Sequence, residues 1–135
     1  MTPKFRAWLL AEKKMVRVSA ITFFSIGKLE GKVMEILYLS ESHNRFLKIW
    51  AKDPERFVLM QSTGVLDIDG KEIYEGDVVL PTDGGASLVH WKDGAFLVGQ
   101  YGDMPYVLTD FTSLVIIGNI YENPELASEF IEEED

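Results

Sequence analysis

Short apolar runs that alternate with polar positions every second residue recur along most of this 135-residue chain, and that period belongs to strands rather than helices. Phe5, Ala7 and Leu9 alternate with Arg6 and Trp8, which predicts a strand over Lys4 to Leu10 that covers a core. A polar turn at Glu12-Lys13-Lys14 follows, and Met15 to Phe24 is rich in β-branched and aromatic residues, so the two segments predict a hairpin. Gly27 and Gly31 bracket a loop before the apolar run from Val33 to Leu39. The stretch from Ser40 to Lys52 is open to two readings. It fits a short helix capped by Ser40 or Ser42, with Phe46, Leu47, Ile49 and Trp50 on its apolar side, and nearly as well a strand. Asp53-Pro54-Glu55 closes that segment with turn chemistry, and Phe57 to Met60 resumes an extended run.

From Gln61 onward the punctuation becomes regular, with Gly64, Gly70, Gly76, Gly84-Gly85, Gly94, Gly102 and Pro105 separating short β-prone runs. Five strands are predicted here, over residues 77–80, 87–92, 95–100, 106–109 and 114–121. The clearest unit is the hairpin around Asp93-Gly94, because that pair supplies the positive φ angles of a tight turn. A two-residue loop there pairs Trp91 with Phe96 and Val89 with Val98. Leu88, His90 and Leu97 fall on the other face, so the hairpin is expected to be largely buried. Asp110 to Ser113 reads as a short turn or one helical turn, Glu125 to Phe130 as a short helix, and Glu132 to Asp135 as a solvated tail. The expected fold is mainly β, α+β overall: an N-terminal α+β part over residues 1–60 and an SH3-like five-stranded barrel module, with its acidic tail, over 61–135.

Composition bounds the function without naming it. At 47% hydrophobic residues the chain is able to bury a core, and the absence of cysteine excludes disulfides, thiolate nucleophiles and cysteine zinc sites. No run reaches membrane-spanning length, and the apolar stretch Ala7 to Ala11 is too short for a signal peptide. A cytoplasmic location away from membranes is expected. The net charge of −9 divides unevenly: residues 1–60 hold 11 basic against 6 acidic residues, whereas 61–135 hold 2 against 16. A basic front and an acidic back attract each other or different partners, and the acidic half is ill suited to nucleic acid.

Three stretches together resemble the YopX-like family of phage and prophage proteins. They are Lys4-Phe5-Arg6-Ala7-Trp8, then Gln61-Ser62-Thr63-Gly64-Val65-Leu66-Asp67 running into Gly70-Lys71-Glu72-Ile73-Tyr74-Glu75-Gly76-Asp77-Val78-Val79, and finally Ile117-Gly118-Asn119-Ile120-Tyr121-Glu122-Asn123-Pro124-Glu125-Leu126. Their order spans nearly the whole chain, while Lys28 to Asp53 carries none of the resemblance. The resemblance implies a phage or prophage origin, an N-terminal α+β part that mediates oligomer contacts, and a C-terminal SH3-like barrel. It implies no activity and hands on no catalytic residue, because the family is functionally uncharacterised.

The residues themselves also nominate no catalytic, cofactor-binding or metal-binding site. Asp67, Asp69, Glu72, Glu75 and Asp77 form an acidic group around the turn that enters the second half of the chain. If Gly70 takes the sixth position of a calcium loop, however, the first position falls on Val65 and the twelfth, which must be an acid, on Gly76. Turn chemistry explains these carboxylates better, since such side chains bond local backbone donors. His43 and His90 sit in no serine-acid or metal-ligand pattern, and Asp83-Gly84-Gly85 has the wrong spacing for a phosphate loop. Three readings follow in descending order. The first is a non-enzymatic phage interaction or assembly protein that forms a homo-oligomer. The second is a nucleic-acid-binding accessory protein using the basic front with Trp8, Trp50 and Trp91, and the third a small hydrolase or metal-dependent enzyme.

Overall fold

The computed structural model describes residues 4–24, 33–51, 56–81, 85–92, 94–99, 106–108 and 113–127. These residues are mainly β, in antiparallel sheets with a single turn of helix. The chain divides into two compact units, Lys4–Met60 and Gln61–Asp135, the latter together with Met1–Pro3.

In the first unit, β1 (Phe5–Leu9), β2 (Lys14–Phe24), β3 (Val33–Ser40) and β4 (Arg45–Ala51) form an antiparallel meander. The start of β5 (Phe57–Leu66) lies beside β1, giving the order β4-β3-β2-β1-β5. Period-two alternation governs burial as the sequence predicts for β1, where Ala7 and Leu9 are buried and Arg6 and Trp8 are only partly so. The core gathers Ala7, Leu9, Val16, Ile36, Tyr38, Ile49 and Phe57.

Ser40 to Lys52 corrects the helical reading. Residues 41–44 are a turn and β4 follows, so among the described residues this unit is built of strands and is not α+β. Burial explains why the strand wins. Ile49 is buried between exposed Lys48 and Trp50, and it faces Ile36 across the ladder. A helix would have gathered Phe46 and Trp50 on one side with Leu47 and Ile49, whereas the ladder with β3 satisfies the backbone, buries Ile49 and packs Leu47 against the same core. Ser40 does not cap a helix either: its Oγ lies 2.9 Å from His43 Nδ1 within the turn.

In the second unit, the remainder of β5 pairs with β6 (Glu72–Tyr74). A five-stranded sheet follows, built from β7 (Asp77–Pro81), β8 (Ser87–Lys92), β9 (Ala95–Gly99), β10 (Tyr106–Val107) and β11 (Leu114–Asn119) in the order β10-β9-β8-β7-β11. The last strand returns to pair with the first, with Val115 opposite Leu80 and Ile116 opposite Val79. No closed barrel is seen among the described residues. Ile73, Val79, Val89, Val98, Leu108 and Leu114 make a second core.

The β8–β9 hairpin has the predicted register, with Trp91 opposite Phe96 and Val89 opposite Val98. Gly94 sits at φ 83°, the left-handed backbone that its turn requires. Burial of this hairpin is less complete than expected: Val89 and Val98 are buried, but Trp91 is 50% exposed. Ladder pairing of β8 with β7 covers Ser87 and Leu88, and the Val89 carbonyl accepts the Gly76 N–H at 2.9 Å, so among the described residues only the far end of β8, with Trp91, has β9 as its one strand neighbour. The helix expected over Glu125 to Phe130 is present as α1 (Pro124–Ala127). Residues 128–135 lie outside the described residues, as do the Gly27 to Gly31 loop and residues 109–112.

Candidate functional site

The carboxylates of the 67–77 turn bind their own backbone. Asp67 is buried, and its Oδ1 accepts hydrogen bonds from the N–H groups of Asp69 (2.9 Å) and Lys71 (2.8 Å). Its Oδ2 accepts one from the Ile116 N–H at 3.2 Å. Burial alone would raise the pKa of this carboxyl, but the three N–H donors and the nearby Lys71 charge outweigh it and hold the group below its ordinary range. Asp77, 1% exposed, accepts the Tyr74 N–H at 2.8 Å. Glu75 accepts the Gln61 N–H at 2.8 Å, and Glu72 accepts the Tyr74 hydroxyl at 2.9 Å. Asp67, Glu72 and Asp77 serve donors within the turn, as turn chemistry requires, while Glu75 and the second oxygen of Asp67 tie the turn to Gln61 and Ile116 on neighbouring strands. Among the described residues no group of three or more His, Cys, Asp or Glu is placed to hold a metal ion.

Farther along, Asn119 organises the turn after β11. Its Oδ1 accepts the N–H groups of Tyr121 and Glu122 at 3.0 and 2.8 Å, while Asn123 Oδ1 accepts the Asn119 N–H at 3.1 Å. Gly118 lies against this knot, where an added Cβ would stand 2.5 Å from Asn123 Oδ1. The two histidines are dispersed. His43 bonds to serine hydroxyls in the β3–β4 turn, and His90 Nδ1 lies 3.3 Å from the Leu88 carbonyl within β8. Neither contact includes an acid that would orient the ring as a general base.

A different surface stands out in the first unit. On β3 and β4, Glu35, Leu37 and Leu39 lie opposite Trp50, Lys48 and Phe46. Those six positions share one face of the sheet, and the buried residues Ile36, Tyr38 and Ile49 share the other. On this outer face Leu39, Phe46 and Trp50 are 48%, 57% and 50% exposed. Lys48 and Glu35 form an ion pair across it at 3.8 Å. An apolar patch rimmed by charge is the usual mark of an interaction surface. The helical alternative for Ser40 to Lys52 groups Phe46 and Trp50 with Leu47 and Ile49 on one apolar side, whereas in the strand they face away from Ile49. The signal for the patch was there in the shared parity of Phe46, Lys48 and Trp50, which a strand assignment makes one face.

The YopX protein family matches residues 4–128. Protein EF1440 from Enterococcus faecalis has a crystal structure that superposes with a TM-score of 0.62 at 26% sequence identity, covering 93% of this chain and 98% of that one. The crystal structure of protein yopX from Bacillus subtilis shares the fold, with a TM-score of 0.58 at 19% identity over 99% of this chain and 100% of that one. No curated protein matches the chain. Because the family match spans residues 4–128, almost the whole sequence, the chain belongs to the YopX protein family.

Proposed function

We propose that this chain is a phage-encoded, non-enzymatic interaction or assembly protein. Its basic first unit makes contacts between subunits, and its acidic second unit, an SH3-like barrel, presents a surface to a protein partner in the host cytoplasm. The observation that carries the reading is the outer face of β3 and β4, where three large apolar side chains are about half exposed. The return of β11 to β7 supports the SH3-like description. The non-enzymatic reading is supported by Asp67, Glu75 and Asp77, whose carboxylates accept backbone N–H groups in structural roles. No helix among the described residues is long and apolar enough to cross a membrane.

Light scattering coupled to size-exclusion chromatography, at low and high salt, tests the assembly reading. A mass above the 15.3 kDa of one chain is expected at micromolar concentration. A strict monomer under both conditions overturns it.

A further inference from the structure

Strand β4 is an unusually open edge. It ends the order of its sheet, with β3 as its one sheet neighbour among the described residues. It runs over Arg45–Ala51 without proline and pairs with β3 in unbroken register. Edge strands turn alternate N–H and C=O groups outward and so offer a template to another extended segment. Proteins commonly protect such edges with proline, bulges, short strands or charged side chains, and of these the seven-residue β4 has only charge, in Arg45 and Lys48. It adds exposed Phe46 and Trp50 on its outer face.

Charge selects what such an edge accepts. Residues 45–52 carry Arg45, Lys48 and Lys52 and no acid. A second β4 laid alongside would place cations against cations, which disfavours direct pairing of two copies of this strand. The same chain holds a segment of opposite character. Glu129-Phe130-Ile131-Glu132-Glu133-Glu134-Asp135 has five acids, no cation and two large apolar residues, and it lies outside the described residues.

We propose that β4 receives Glu129–Asp135 of a second copy of this chain as an added antiparallel strand. The inference rests on the assembly reading above and names the segment that makes the contact. In the antiparallel register that pairs Glu132 with Lys48, Phe130 lies opposite Trp50, Ile131 opposite Ile49, and Asp135 opposite Arg45. One aromatic pair, one aliphatic pair and two opposite-charge pairs then fall at the directly facing positions, where cross-strand side chains interact most strongly. Phe130, Glu132 and Glu134 share a face by period two, so Phe130 joins the aromatic patch beside Lys48. The Lys48 side chain, 65% exposed, keeps room for a second carboxylate beside Glu35.

Charge exchange tests this contact in the full-length protein, read by light scattering at low salt with circular dichroism to confirm folding. Two variants reverse one side each: Arg45→Glu with Lys48→Glu, and Glu132→Lys with Asp135→Lys. Each is expected to weaken assembly by roughly tenfold or more, because like charges then face each other. All four substitutions in one chain are expected to restore it. An oligomer that is indifferent to either reversal, or that the fourfold variant fails to restore, overturns the tail contact and leaves the assembly reading standing. A monomeric wild type, the result expected if the tail covers its own chain's edge or an outside protein covers it, overturns both.

Discussion

Asp67 gathers N–H donors from two separated stretches of chain, Asp69 and Lys71 in its own turn and Ile116 on β11, so one side chain ties a loop to a strand 49 residues away. Its folded pKa lies below the ordinary 3.8. A group depressed in this way adds stability at pH above its unfolded value, and that contribution is lost as pH falls through the folded pKa. Asp67→Asn removes the charge and turns an amide donor toward N–H groups that need an acceptor. Urea unfolding at neutral pH is therefore expected to show a loss of about 1–3 kcal/mol. The gap between variant and wild type should begin to narrow as pH falls through the ordinary 3.8 and close only below the lower folded pKa, where the wild-type carboxyl is protonated in the folded state as well. A gap independent of pH would remove the charge from the explanation.

At the scale of elements, the β8–β9 hairpin shows how much a local pattern can specify. The Asp-Gly turn set the register, and that register places the Trp91 and Phe96 rings edge to face with centroids 4.7 Å apart and planes inclined by 67°. A double-mutant cycle through Trp91→Ala and Phe96→Ala is expected to give a coupling of about 0.5–1.5 kcal/mol in thermal or urea unfolding. A coupling near zero would mean that the exposed end of this hairpin packs no more tightly than two independent side chains. Ser40 to Lys52 shows the opposite case. Its apolar residues fit either secondary structure, because Phe46, Leu47, Ile49 and Trp50 satisfy a helical spacing while Leu47 and Ile49 satisfy an alternating one. Only the neighbouring β3, facing Ile49 with Ile36, decides between them.

Across the whole molecule, two hydrophobic clusters lie in two separate units, one around Ile36 and the other around Val79 and Val89. Ile36→Ala removes a fully buried side chain and is expected to cost about 2–5 kcal/mol in the first unit. Hydrogen exchange should then show faster exchange in β1 to β4 while the amides of β7 to β9 keep their protection. A uniform loss of protection in both units would show that they unfold as one. Charge is divided along the same lines, since the 11 basic residues of positions 1–60 and the 16 acidic residues of 61–135 give the halves opposite signs.

The sequence by itself determined the β character, the strands of β1 to β3, the β8–β9 register and the membership of a family, because alternation, turn glycines and motif order are local properties that each residue carries with it. Tertiary structure alone decided three further things. It made Ser40 to Ala51 a hairpin arm, gave Asp67 its partner on β11, and left Phe46 and Trp50 facing outward at a sheet edge. Each depends on which strand lies beside which, and hydrogen bonds and burial between distant segments settle that only when the chain has folded.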